Sequence, residues 1–182
     1  MTHLTAEQLE AGFDHIRQSP SDDGRVEQIV RRPAVGEREV LQSAELDSAA
    51  GLVGDRWGGK RGNPECQINI MNARVIALVA GEKDRWALAG DQLFVDLDLS
   101  EENLPVGSRL AIGNAVVEVT APPHTGCSKF AARFGMDARD FVNARKHLRL
   151  RGINARVVEA GTIRVGDVVT VSSRRTPSPA AQ

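Results

Sequence analysis

The residues best placed to do chemistry lie in Pro122-Pro123-His124-Thr125-Gly126-Cys127-Ser128-Lys129-Phe130, which holds one of the two cysteines of the chain. A thiolate attacks electrophilic sulfur or ligates a soft metal, and a thiol does neither well, so Cys127 works only if it ionises. Three features favour ionisation: a helix start expected at Ser128, Lys129 two residues on, and His124 three residues before. Cysteine is also a small hydrophobe and among the most buried residue types, so a packed, inert Cys127 is the alternative. Pro122, Pro123 and Gly126 make a poor core strand and put the thiol in a loop, where function concentrates. On the residues alone both readings stay open. His124 is the one histidine with a chemical neighbour, as an orienting or proton-handling group, whereas His3, His15 and His147 have no partner at ligand spacing. Cys66 follows Glu65 at a strand entry, surroundings that raise a thiol pKa and assign it to packing.

Two basic stretches could hold an anion. Gly54-Asp55-Arg56-Trp57-Gly58-Gly59-Lys60-Arg61 begins like a phosphate loop, but Arg61 stands where a magnesium-binding hydroxyl belongs and Asn63-Pro64 follows in place of a helix. What remains is Arg56, Lys60 and Arg61 on glycine-rich backbone, either an anion grip or a solvated hairpin tip. Arg145-Lys146-His147-Leu148-Arg149-Leu150-Arg151 alternates base and leucine, as a solvated edge or as a hold on a phosphorylated cofactor. The chain has no tyrosine, and its phenylalanines are at core-like spacing, so a stacking platform for single-stranded nucleic acid is missing.

These groups need a scaffold of short strands. β-type runs are expected at Arg25–Arg32, Arg38–Leu46, Gln67–Met71, Gln92–Leu97, Arg109–Ile112, Ala115–Thr120, Ala155–Val158 and Val168–Val171, with glycine turns between them. Such a series argues for a barrel or sandwich rather than repeated βαβ units, hence a mainly β, β-rich α+β fold with a few peripheral helices. A capping box at Thr5-Ala6-Glu7-Gln8 starts an amphipathic helix to about Gln18, and further helices are expected at Ala73–Ala80 and after Cys127. The expected organisation is an N-terminal helix and link over 1–23, a barrel domain over 24–173, and a polar, proline-broken, disordered tail over 174–182.

At 182 residues the chain is the size of one domain, and 23 basic against 24 acidic residues give no global field for nucleic acid or an anionic membrane. No apolar run would span a bilayer and the N-terminus has no export signal, so the expected setting is cytoplasmic, with both cysteines unpaired. Charge is nonetheless segregated: seven acids face two arginines between Asp84 and Glu118, and eight bases face two acids between His124 and Arg156.

The order of the motifs resembles the MOSC domain, the module named after the C-terminal region of molybdenum cofactor sulfurase. The matching pieces are Gly51-Leu52-Val53-Gly54-Asp55-Arg56, Glu102-Asn103-Leu104 with Gly107-Ser108-Arg109-Leu110-Ala111-Ile112-Gly113, Glu118-Val119-Thr120 leading to Gly126-Cys127-Ser128-Lys129, and Gly152-Ile153-Asn154-Ala155-Arg156-Val157 with Gly161-Thr162-Ile163-Arg164-Val165-Gly166-Asp167. The resemblance implies a MOSC-type β-barrel and a role as sulfur carrier or molybdenum cofactor (molybdopterin) binder. The family cysteine falls on Cys127, as persulfide bearer or as molybdenum ligand, and Asn103 falls near the cofactor region. Arg56, Lys60, Arg61 and Arg149 would then meet the pterin phosphate. Many relatives carry Arg or Lys shortly before the cysteine, where this chain has His124-Thr125-Gly126.

Three functions follow. One is a sulfur carrier or cofactor binder in which Lys129 stabilises the Cys127 thiolate and His124 handles a proton. Another is a small molybdenum oxidoreductase reducing N-hydroxylated compounds. The last is a non-catalytic anion-binding barrel. The expected partners are a sulfur donor or reductase protein and a small-molecule or cofactor ligand, with no nucleic acid and no membrane.

Overall fold

Along Leu93-Phe94-Val95 every residue is fully buried, yet alternate side chains enter different cores: Leu93 and Val95 join one cluster, Phe94 the other. Period-two alternation of this kind requires apolar material on both faces of the strand. A computed structural model of the chain, describing residues 3–58 and 62–174, shows what covers each face.

In chain order the elements are α1 (Ala6–Ala11), α2 (Phe13–Arg17), β1 (Gly24–Arg31), β2 (Glu39–Leu41), β3 (Ser43–Asp47), β4 (Gly51–Leu52), β5 (Ile68–Asn72), α3 (Ala73–Ala80), β6 (Leu93–Asp96), β7 (Arg109–Ile112), β8 (Ala115–Pro123), α4 (Ser128–Phe134), α5 (Met136–Ala144), β9 (Ile153–Glu159), β10 (Gly161–Arg164) and β11 (Val168–Ser173). Short 3-10 turns occupy Pro64–Cys66, Lys83–Ala89 and Lys146–Leu148.

The main sheet runs β11-β7-β8-β9-β5-β6-β1, and β11 returns to pair with β1, closing the barrel; β2 hangs on the far half of β1. All neighbours are antiparallel except β5 and β6, whose parallel pairing needs the crossover through α3. A small sheet, β10-β3-β4, stands beside the barrel. Inside the barrel lie Val26, Ile29, Ile70, Leu93, Val117 and Ala155 among others, while Met71, Val30 and Phe94 point outward against Leu9, Ile76, Phe130 and Phe141 of the helices. The β-rich class with peripheral helices thus holds. No described helix is long and apolar enough to cross a membrane.

Local departures from the sequence expectation have plain causes. The Thr5 capping box forms, but the helix breaks at Gly12, where a Cβ would sit 2.5 Å from Leu78 Cδ1. The run Arg38–Leu46 divides at Gln42, whose carbonyl is taken by the Val165 N–H, so its halves serve different sheets. Gly161-Thr162, expected as a turn, begins β10. Arg174, at the start of the expected tail, donates to the carbonyls of Asn103 and Ser21; residues 175–182 lie outside the described residues.

Candidate functional site

The thiol loop is built where β8 loses step with β9. Val119 faces Ala155 and Pro123 faces Ile153, so four residues of β8 advance against two of β9. A bulge of this kind re-aims the chain, and it delivers Pro123–Gly126 across the barrel end into α4. Asn143 of α5 fixes the loop, its Oδ1 accepting from Gly126 N–H at 2.8 Å and its Nδ2 donating to the Gly126 carbonyl at 3.0 Å. A side chain at 126 would be crowded, since a Cβ would lie 3.1 Å from Val142 Cγ2 and the neighbouring side chains would have to give way.

Cys127 is the N-cap residue of α4 and its side chain is exposed. It makes no regular capping bond, but the N–H groups of Phe130 and Lys129 face the sulfur and favour its charged form. The Phe130 N–H is the largest influence, burial works against it, and the Lys129 N–H and the Arg151 guanidinium add to it; together they lower the thiol pKa. Lys129 therefore acts through its backbone, and its side chain points to solvent. Cys66 contrasts: burial and Glu65 push its thiol up.

Behind the thiol lies a buried charged network. Asp91, fully buried, accepts from Arg151 Nη1 at 2.9 and 2.7 Å and pairs with His124 Nε2 at 2.8 Å. Burial works to raise the Asp91 pKa, but the charges and hydrogen bonds of Arg151 and His124 prevail and hold it far below the usual carboxylate range. An ionised carboxylate only accepts, so the proton of the shared bond belongs to His124 Nε2, leaving Nδ1 as the nitrogen able to meet a ligand. Arg151 also donates to the Ala89 carbonyl at 3.1 Å and stacks over Phe130 at 5.0 Å, joining the network to the helix that Cys127 caps. Asn154 extends the polar layer, accepting from Asn69 at 2.6 Å and donating to the Pro122 carbonyl at 3.0 Å.

A cavity of about 560 Å³ opens beside this layer, lined by the loop from Pro122 to Gly126, with Asn143, Lys146, Arg149 and Asn154 among its other walls. Its wall stops one residue short of Cys127.

The other expected site residues are distributed unevenly. His124 and Arg149 reach the cavity; Arg149 donates to the Leu104 carbonyl at 2.7 Å and lies 3.8 Å from Glu101. Asn103 instead holds the N-terminal link, its Nδ2 donating to the carbonyls of Ser21 at 2.9 Å and Asp98 at 2.8 Å. Arg56 lies on the loop after β4, with a buried Nε that has no partner among the described residues. Lys60 and Arg61 lie outside the described residues. Sequence reasoning missed Asp91, Arg151 and Asn143. The segregated charge was the signal for Asp91 and Arg151: the acidic segment supplies Asp91, Glu101 and Glu118, and the basic one answers with Arg151, Arg149 and Arg156.

Several solved structures share the architecture. The YUAD protein from Bacillus subtilis is 19% identical with a TM-score of 0.56, over 80% of this chain and 93% of that one. YiiM from Escherichia coli is 19% identical with a TM-score of 0.56, over 84% and 71%. YiiM from Geobacillus stearothermophilus is 15% identical with a TM-score of 0.57, over 83% and 76%. Likeness at these identities speaks to the fold alone. No curated protein matches the chain. The model of the MOSC domain matches residues 58–170, which include the cysteine loop, the polar layer behind it, five of the seven barrel strands and the start of β11, and by that match over more than half its length the chain belongs to the MOSC domain family.

Proposed function

We propose that this MOSC-domain protein works through Cys127 as a thiolate, carrying a sulfur atom or ligating the metal of a molybdenum cofactor. The observation that carries this is an exposed thiol whose pKa is lowered by backbone N–H groups and by Arg151. In sulfur transfer the thiolate attacks the outer sulfur of a donor persulfide. The new Sγ–S bond forms as the donor S–S bond breaks, the donor leaves as a thiolate, and no net oxidation occurs. The same N–H groups then face the persulfide anion, and His124 Nδ1 can hold or release a proton at the loop.

The residues also fit a molybdenum cofactor. Among the described residues no three His, Cys, Asp or Glu side chains cluster around one point, so a metal here takes Cys127 as its protein ligand and brings its other ligands with it. Arg149 and Lys146 line the cavity that such a ligand would enter, and Arg56, outside that lining, keeps a buried Nε without a partner among the described residues. When bound, the cofactor would supply oxygen-atom and two-electron chemistry. The chain's own part is to fix the ligand sulfur, to exclude water from the polar layer and to present His124 Nδ1. A cavity of about 560 Å³ also suits a small organic substrate, the observation favouring a second reading in which N-hydroxylated compounds are reduced with electrons from a partner reductase.

The test is intact mass and metal analysis of protein from its native host, wild type beside Cys127→Ser. One added sulfur or stoichiometric molybdenum, absent from the mutant, is the expected result. A wild-type protein carrying neither under sulfur-replete and molybdenum-replete growth would refute the proposal.

A further inference from the structure

Beyond Val119, strand register no longer fixes the thiol loop, because four residues of β8 pass against two of β9. Side chains hold it instead, at three points. Asn143 grips Gly126, Asp91 pairs with His124 Nε2 at 2.8 Å, and Asn154 Nδ2 donates to the Pro122 carbonyl at 3.0 Å. Two of these three anchors lead back to one guanidinium, that of Arg32, which follows β1 and is buried.

Asp55, its side chain fully buried, takes one side of the Arg32 fork: Nε donates to Oδ2 at 2.9 Å and Nη2 to Oδ1 at 3.0 Å. Nη1 keeps two hydrogens and gives them to two different elements. One goes to the Gly90 carbonyl at 2.8 Å, and Gly90 precedes the Asp91 that holds His124. The other goes to Asn69 Oδ1 at 3.1 Å; Asn69 Nδ2 donates to Asn154 Oδ1 at 2.6 Å, and Asn154 holds Pro122. The two branches rejoin at Pro122 and His124, so one nitrogen reaches both ends of Pro122-Pro123-His124. The prolines fix φ at the first two of these residues, and the segment therefore shifts as a stiff unit when either end is displaced. A lysine could not serve at 32, since an ammonium is a point charge and cannot meet a carboxylate, a carbonyl and an amide oxygen from one planar fork.

We propose that Arg32 is a positioning residue for the thiol loop, setting Pro122 and His124 together through the two branches from Nη1 and so fixing where His124 Nδ1 faces. Its role is to hold an irregular loop in the one arrangement that the chemistry at Cys127 uses. The inference rests on the reading of Cys127 as a working thiolate for its purpose. Its test reads the loop directly, with no sulfur or metal on the protein, so it succeeds or fails apart from the mass and metal analysis that tests that reading.

Nitrogen NMR of the full chain at pH 8 should show the His124 ring protonated at Nε2 and bare at Nδ1. Arg32→Lys should mix the two tautomers and lower the exchange protection of the Gly126 amide by about tenfold or more. Asn69→Ala cuts only the branch to Pro122, so it should lower the Gly126 protection and leave the His124 tautomer as in the wild type. Arg74→Lys is the control: Arg74 forms the same two-pronged pair, with Asp96 at 2.7 and 3.0 Å, and has no bond to the thiol loop. It should leave both signals unchanged while costing stability by a comparable route. If Arg32→Lys fails to fold, Asn69→Ala decides. Wild-type His124 and Gly126 signals in Arg32→Lys, an unaltered Gly126 amide in Asn69→Ala, or equal changes in Arg74→Lys would overturn the assignment.

Discussion

Asn143 grips the Gly126 backbone from both sides, accepting from its N–H and donating to its carbonyl. One amide thus ties α5 to the residue before the thiol. Asn143→Ala removes both bonds at a half-buried position and should cost about 1–3 kcal/mol. It should also release the loop that aims Cys127 at its N–H groups, so the thiol pKa should rise toward its ordinary value. Urea unfolding and a pH titration of thiol reactivity check the two effects; a destabilised variant with an unchanged thiol titration would mean that the clamp serves stability alone.

The two cysteines should titrate in opposite senses. Cys127 is lowered by backbone N–H groups and Arg151, and Cys66 is raised by burial and Glu65. Because the thiolate is the reactive form, iodoacetamide should modify Cys127 in a Cys66→Ser protein with a midpoint below that of a free thiol. Cys66 in a Cys127→Ser protein should show a higher midpoint. The reverse order would remove the electrostatic basis of the proposed function.

Asp91 links the site to acid stability. Its folded pKa lies below the unfolded value, so its contribution is fully present above the unfolded carboxylate pKa of about 4 and is lost as pH falls below that. Asp91→Asn leaves Arg151 buried without a counter-ion and should cost about 3–5 kcal/mol at pH 7. It should also flatten the decline of stability on acidification. Denaturant midpoints measured from pH 7 to pH 3 for both proteins test this, and parallel acid limbs would contradict it.

Gly152 admits no side chain. Its φ is +114°, and a Cβ would meet the Ile70 carbonyl oxygen at 2.3 Å. Gly152→Ala should therefore destabilise by about 3 kcal/mol or more, and it should disturb Arg151 beside it. A thermal unfolding temperature within a degree or two of wild type would show that β5 and β9 can part at that point.

What the sequence disclosed was whatever is written in near neighbours. The hairpin Arg109–Ile112 with Ala115 onward, the capping box at Thr5 and the placing of Cys127 between a strand and a helix all rest on local spacing. The extra strands β4 and β10 escaped notice because one is two residues long and the other opens on a glycine, and only pairing with β3 makes either a strand. The network behind the thiol is non-local: His124 and Arg151 lie 33 and 60 residues from Asp91, and no periodicity joins them. The opposing charge of their two segments was visible as a sum, while the choice of partners came only with the barrel. Asn103, matched to the cofactor region by resemblance, makes a long-range bond that its local sequence did not announce, to the carbonyl of Ser21.

The barrel is sewn shut by its first and last strands, β1 and β11, through the facing pairs Gly24 with Val169 and Arg25 with Val168. The cylinder cannot close before β11 is made, and until then the edges that β11 covers on β1 and β7 stay unpaired. A nascent chain halted before Val168 would present an unpaired edge to its neighbours, so the distance between making this protein and losing it comes down to one brief strand.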